Sequence, residues 1–405
     1  MSRTGVASAP VAGRRLVGMS TLLVGVAGCA SQAATTSGEL ADARTKAVSV
    51  VDATMDAAPR VTEAEAPDAS VDASDDASDS ADADAASVPF DAGAGVVVLA
   101  DNQQAPSFVV VDQTSVYWTT YDVGRTYVMK TSLEGGSPVT LAIGPGAPFG
   151  LAVDGANVYW TQSAVGGSGS VMSVPLDGGP SVPLAVGQTQ PIGPAVDSTS
   201  IYWSERDGHV MRASLDGAAP SVVAVGQTAP SAVAVDPTSV YWTSQYSDPD
   251  SGVFSVPAVM RAPLDGGAPT LVGTTGGLSL VSFAVNGAAA YWSDANCSVQ
   301  MALTDGGASS PLASADTWSC PLFMGGGGIA ADGTSVYWAV QSNQDSPMGL
   351  IVKVLASGEP DASNPVATLA VGQSTPVGVA VDATHVYWTN SGVNTRSGQV
   401  MTAPK

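Results

Sequence analysis

The chain has 405 residues, of which 45% are hydrophobic and only 12% charged, and it carries a formal net charge of −22. That acidic balance excludes nucleic acid, whose phosphates need a surplus of Lys and Arg, and excludes an anionic lipid surface as an electrostatic partner. With 45 Gly and 27 Pro, the composition suits many turns and short strands better than long helices.

At the N-terminus, Arg3, Arg14 and Arg15 precede a 13-residue apolar run, LVGMSTLLVGVAG (16–28), which is too short to span a bilayer and ends in small residues. Residues 1–28 therefore read as a signal peptide. The run VAGC (26–29) resembles a bacterial lipobox, with Val26 where that motif more often has Leu. The resemblance implies that the Cys29 sulfur is diacylated and that Cys29 becomes the new N-terminus, anchoring the chain to a membrane. Ala30, rather than Asp, follows the Cys, which implies an outer-membrane destination, on its periplasmic or its surface side. An ordinary signal peptide that leaves Cys29 free is the alternative. The Arg14-Arg15 pair also suggests a twin-arginine signal, but the residues after it match that pattern poorly.

Residues 29–94 change character. Between Glu39 and Asp91 there are 14 acidic residues and three basic ones, in stretches such as DASVDASDDASDSADADAAS (68–87). Nothing here can bury a core, so the segment is expected to be a solvated, self-repelling tether rather than a calcium-binding tract. A flexible chain of that length reaches about 45 Å root-mean-square.

From residue 95 onward one phrase returns seven times: VVVDQTSVYWTT (109–120), LAVDGANVYWTQ (151–162), PAVDSTSIYWSE (194–205), VAVDPTSVYWTS (233–244), FAVNGAAAYWSD (283–294), AADGTSVYWAV (330–340) and VAVDATHVYWTN (379–390). The Tyr residues are spaced by 42, 43, 39, 50, 46 and 50 positions. A period in the forties, built from short apolar runs and turn residues, marks a repeating four-stranded unit such as a propeller blade. In the fourth copy, SAVAVD (231–236), VYWTS (240–244), VPAVMRAPL (256–264) and APTLVG (268–273) read as four strands, with a tight turn at PTS and a hairpin at DGG (265–267). A Val-Met pair opens several of the third strands. Seven of the eight Trp residues lie in the phrase, so the Tyr-Trp pairs read as packing between blades rather than as a row of binding sites.

After Tyr387 the chain offers only a third strand, GQVMTAPK (398–405), while VVVLADNQQAPSF (96–108) aligns with VATLAVGQSTPVG (366–378). The expectation for residues 95–405 is an all-β, seven-bladed β-propeller of four-stranded blades, the last completed by the N-terminal strand. The phrase resembles the YWTD-type propellers of lipoprotein-receptor ectodomains and, more loosely, the bacterial NHL and TolB propellers. It departs from the receptor type in two ways. That type has six blades, and its Asp after Tyr-Trp-Thr is matched here only by Asp294.

Few side chains offer chemistry. Cys297 and Cys320 fall in connections on one face of the expected ring, where a disulfide would suit an oxidising envelope; two free buried thiols are the alternative. The densest charged cluster is Glu205, Arg206, Asp207 and His209, readable as an acid-base site or, more blandly, as an exposed loop at a blade edge. His385 reads as a turn residue. The Asp of each AVD phrase is expected to cap its turn through its own side chain. SDPDSG (247–252), with Asp248 and Asp250, has the start of a calcium loop but not its downstream Glu. No zinc spacing, nucleophile elbow or phosphate loop occurs, so no catalytic residue, metal or cofactor is expected.

The most variable connections, 163–170, 244–258 and 340–349, are the candidate contact surface, with Tyr246 as an anchor. They share a face with the repeated GQxxP segments at 187–191, 226–230 and 372–376, which read as structural. The expected function is a non-enzymatic, monomeric envelope lipoprotein binding a protein or a glycan. The alternative is a lyase or hydrolase, since seven-bladed propellers of bacterial lyases resemble it in outline.

Overall fold

The computed structural model describes residues 95–163, 167–248, 253–275, 280–294, 298–313, 328–341, 349–357, 366–392 and 397–405. Cys29, Asp250, Cys297, Cys320, the signal peptide and the tether all lie outside the described residues.

Seven four-stranded antiparallel sheets follow one another along the chain, with no helix among the described residues. The first blade comprises Val109–Val111, Ser115–Asp122, Arg125–Ser132 and Val139–Pro145. Each later blade repeats that order from the inside outwards. The seventh is built from Pro376–Val381, His385–Asn390 and Gly398–Pro404, and its outer place is filled by Val97–Gln103, which pairs Val97 with Thr402. The innermost strands touch in sequence, and Pro376–Val381 returns to Val109–Val111. The chain is a closed, seven-bladed β-propeller.

The repeated phrase builds this ring by burial. Six of its Trp side chains, at 118, 160, 203, 242, 292 and 388, are less than 2% exposed, and Trp338 is 4% exposed. The Tyr neighbours are buried to the same degree, so the pairs are core. The recurrent Val-Met pair has a physical reason as well. Met129, Met172, Met211, Met260 and Met401 stand directly across the sheet from Trp118, Trp160, Trp203, Trp242 and Trp388, where a polarisable thioether can lie against an aromatic ring.

A second recurrence lies on the inner strands. Four residues before each phrase's Asp or Asn stands a small residue in six blades: Gly150, Gly193, Ala232, Ser282, Gly328 and Gly378. A Cβ on Gly378 would sit 2.5 Å from the Ser107 carbonyl oxygen, and one on Gly193 would sit 2.9 Å from Ala232 Cα. Neighbouring inner strands thus approach almost backbone to backbone around the axis. Only Phe108, in the first blade, puts a large side chain at this position.

The fourth blade differs from expectation. Residues 244–258 read as a loop, but the second and third strands run through most of it, as Ser239–Asp248 and Val253–Pro263, pairing Tyr246 with Val256 and Asp248 with Val253. Val253, Phe254 and Val256 on the third strand favour extended backbone, and Tyr246 on the second pairs with Val256, so the ladder continues past the blade's normal edge.

Candidate functional site

Most polar side chains of the repeat are committed to structure. In the fourth blade, Asp236 Oδ1 accepts the backbone N–H groups of Thr238 and Ser239 at 2.7 and 2.8 Å, and the Tyr241 hydroxyl donates to Oδ2 at 2.8 Å. The same Tyr-to-Asp bond recurs at Asp112, Asp154, Asp197, Asp332 and Asp382. In the fifth blade Asn286 replaces the Asp and donates to Tyr291 instead. Burial first, then the adjacent carboxylate, pushes Tyr202 and Tyr337 up to about 12 and raises Tyr117, Tyr159, Tyr241 and Tyr387 as well. The turn-capping reading of these Asp residues holds, while their bond to the core Tyr was not anticipated.

The GQxxP connections are structural too. Gly187, Gly226 and Gly372 have φ near +70°, and the residues before Pro, Gln190, Ala229 and Thr375, are also left-handed. This geometry turns Gln227 and Gln373 toward the Trp of the next blade, and Gln103, in the NQQAP segment that enters the first blade, does the same. Gln227 Oε1 accepts from Trp242 Nε1 at 3.0 Å, Gln373 Oε1 from Trp388 Nε1 at 2.8 Å, and Gln103 Oε1 from Trp118 Nε1 at 3.1 Å.

Against this background the third blade stands out. Its second and third strands, Ser200–Glu205 and His209–Ser214, are joined by a tight turn at 206–208 in which Gly208 has φ +98°. A Cβ on Gly208 would sit 2.7 Å from the Gln227 carbonyl oxygen, so the turn needs glycine twice over. His209 Nδ1 lies 2.7 Å from Asp207 Oδ1, and the ligand atoms of Glu205, Asp207 and His209 all fall within 4.8 Å of one another. Arg206 is exposed and donates to Gln190 Oε1 at 3.2 Å.

Glu205 is not an exposed loop residue. It ends the second strand at 6% exposure, paired with Pro191, and its Oε1 accepts from Trp203 Nε1 at 3.4 Å and from the Thr189 N–H at 3.3 Å. Burial, the largest influence, raises its pKa and so favours the neutral acid; the Trp203 bond and His209 act the other way, and Asp207 adds to the rise. The cluster therefore combines one buried carboxyl, one exposed carboxylate and one half-buried imidazole. These are groups able to shuttle a proton, or to ligate a divalent cation after modest side-chain movement.

The third and fourth blades meet beside this turn. Gln227 N–H donates to the Gly208 carbonyl at 3.0 Å, and Gln245 N–H donates to the Thr228 carbonyl at 2.8 Å. The segment 227–228 thus joins the cluster to the extended hairpin of the fourth blade. Tyr246, on that hairpin, is half-buried and packs against the core of Trp242 and Met260 rather than standing free. From sequence, Gln188 and Gln190 read only as parts of a structural GQxxP segment and Trp203 only as core packing, with no bond assigned to any of them. The constant 15-residue step from each such Gln to its Trp was the signal available.

No family model matches the sequence, and no curated protein matches it either. Solved structures do. The β-propeller domain of the trilobed protease from Pyrococcus furiosus, described as having an open velcro topology, is 10% identical with a TM-score of 0.50, over 76% of this chain and 95% of that one. A puromycin-hydrolysing peptidase from Mycobacterium tuberculosis is 15% identical with a TM-score of 0.52, over 71% of this chain and 49% of the peptidase, so the likeness spans about half of that protein. A chain of the nidogen/laminin complex is 17% identical with a TM-score of 0.43, over 58% and 88%. At these identities the likeness is one of fold.

Proposed function

We propose that this chain is a binding scaffold: an envelope lipoprotein, anchored through Cys29 to the outer membrane, whose propeller holds a protein or a glycan on the face formed by the third- and fourth-blade hairpins. The observation that carries this reading is the junction at 227–228, which joins the Arg206–His209 turn and the extended hairpin into one surface. Exposed Arg206 and Asp207 give that surface polar groups of both signs on a rigid base, as suits a loop-bearing recognition face. Six other acidic side chains, at 112, 154, 197, 236, 332 and 382, cap turns and bond tyrosines.

The test is capture from envelope extract and culture medium with the full chain carrying Cys29→Ser, run beside the same chain with residues 247–254 replaced by a short Gly-Ser turn. A partner retained by the first and lost by the second supports the reading. Equal capture by both, or none by either, counts against it.

The closeness of Glu205, Asp207 and His209 favours a second reading, a lyase or hydrolase acting on an extracellular substrate. It requires turnover on a glycan or peptide panel that His209→Ala abolishes.

A further inference from the structure

The turn that carries Glu205, Asp207 and His209 is held at three points. The Arg206 N–H donates to the Thr189 carbonyl of the second blade at 3.1 Å, the Gly208 N–H donates to the Glu205 carbonyl at 3.0 Å, and the Gly208 carbonyl accepts from the Gln227 N–H. Glu205 and His209 pair directly across the sheet, so their side chains leave it on one face, and Asp207 stands between them at the tip. No other set of three His, Cys, Asp or Glu ligand atoms gathers this closely among the described residues.

Glu205 separates this cluster from an ordinary acidic surface. At the same place in the second blade stands Gln162, whose Oε1 accepts from Trp160 Nε1 at 2.9 Å, so a neutral amide already meets the need of the indole. The third blade instead puts a carboxyl there at 6% exposure. Both hydrogen bonds to it fall on Oε1, and Oε2 accepts none among the described residues. Neither Lys nor Arg pairs with it: the Arg206 guanidinium is engaged by Gln190, and the ion pairs among the described residues are His209 with Asp207 and Lys405 with Asp332. A buried carboxylate needs a counter-charge or a metal ion to offset its lost hydration. Asp207 and His209, whose side chains are 38% and 37% exposed, leave the outer side of the cluster open to an arriving ion.

We propose that Glu205, Asp207 and His209 bind one first-row transition-metal dication, with zinc the best fit. Two carboxylates and one imidazole suit zinc or manganese, whereas calcium and magnesium favour oxygen donors alone. Zinc bonds of about 2.1 Å set tetrahedral donors about 3.4 Å apart, so ligand atoms within 4.8 Å of one another close on the ion by side-chain rotation. Three protein donors leave an outward position for water or for an oxygen donor of a bound molecule. The site is independent of the scaffold reading, which stands or falls by capture of a partner.

The test uses the full chain, stripped with chelator, and zinc as the probe. The sequence has only two His residues, so the imidazole nitrogen signals of the histidine-labelled protein report on His209 and His385 separately. One equivalent of zinc is expected to shift the His209 signals and to leave those of His385 in place. In calorimetry, His209→Ala and Glu205→Gln are each expected to weaken this binding about 10-fold or more. Glu205→Gln keeps the side chain's size and an acceptor for Trp203; should it not fold, Asp207→Asn at the exposed tip takes its place with the same expected loss. Zinc that leaves the His209 signals unmoved overturns the proposal, and this is also the outcome if the ion goes only to cysteine thiols or to the acidic tether. Equal affinity in Glu205→Gln overturns it as well, since it reduces the site to a surface Asp-His pair.

Discussion

The Thr389 hydroxyl donates to the Ser107 carbonyl at 2.7 Å and accepts the Gly378 N–H at 3.0 Å, tying the last blade to the strand that enters the first. The two residues are 282 positions apart, so this bond belongs to ring closure alone. Thr389→Val keeps the shape and removes both bonds, leaving a buried N–H and a carbonyl unmatched. The expected loss is about 1–3 kcal/mol in denaturant unfolding.

Asp236 and Tyr241 form a graded test of the repeated turn. Asp236→Ala strips two backbone N–H groups and a buried phenol of their acceptor, with an expected cost of about 3 kcal/mol; Tyr241→Phe removes one bond and is expected to cost about 1 kcal/mol. Asp236→Asn is expected to be the mildest, because Asn286 already serves in the fifth blade. Equilibrium unfolding of the three variants gives the order.

Close approach at the axis predicts that Gly378→Ala destabilises by about 1–3 kcal/mol, since the new methyl meets the backbone oxygen of Ser107 and not a side chain that can swing away. Gly155→Ala, at a glycine facing open space, is the control and is expected to be near neutral. Thermal midpoints distinguish them.

Lys405 Nζ lies 2.5 Å from Asp332 Oδ2 and 5.3 Å from the centre of the Tyr337 ring. Burial alone would raise Asp332, but the Lys405 ammonium and the N–H groups of Thr334 and Ser335 hold it down at about 2. The stability it contributes is therefore present above about 3.9 and lost as pH falls through about 2. Lys405→Ala is expected to move acid unfolding to higher pH and to cost about 1 kcal/mol at neutral pH. An acid titration followed by tryptophan fluorescence measures both.

At the alkaline end the sign reverses. The core tyrosines bonded to carboxylates are harder to ionise folded than unfolded. Their stabilisation is complete below pH 10 and is lost as pH rises through about 12 and beyond. Phenolate absorbance from these buried tyrosines, read against the signal of the exposed Tyr121, is expected to appear together with loss of the fold, not before it.

Blade number, strand order and the shared last blade were legible because each rests on a local signal: an aromatic pair, a turn, a missing strand. The Asp caps were legible for the same reason. What escaped was whatever one blade does to the next. Gln227 and Trp242 meet only once two neighbouring blades have docked, and Gly378 and Ser107 only after the ring has closed; their signature is a fixed spacing or a small residue rather than a motif. Glu205 escaped differently. Its neighbours Arg206 and Asp207 are exposed, so its burial depends on where the second strand ends. The fourth-blade hairpin was read as a loop because Pro, Gly and Asp at its tip hid the strand-forming residues on either side.

The shared seventh blade also sets how the ring responds to force. Val97 pairs with Thr402 and Gln103 with Gly398, so traction applied at residues 97 and 404 acts at one end of that ladder. It would peel the strand pairs in succession instead of shearing them together. The join that makes the propeller continuous is also the one a pull between these two points would open first.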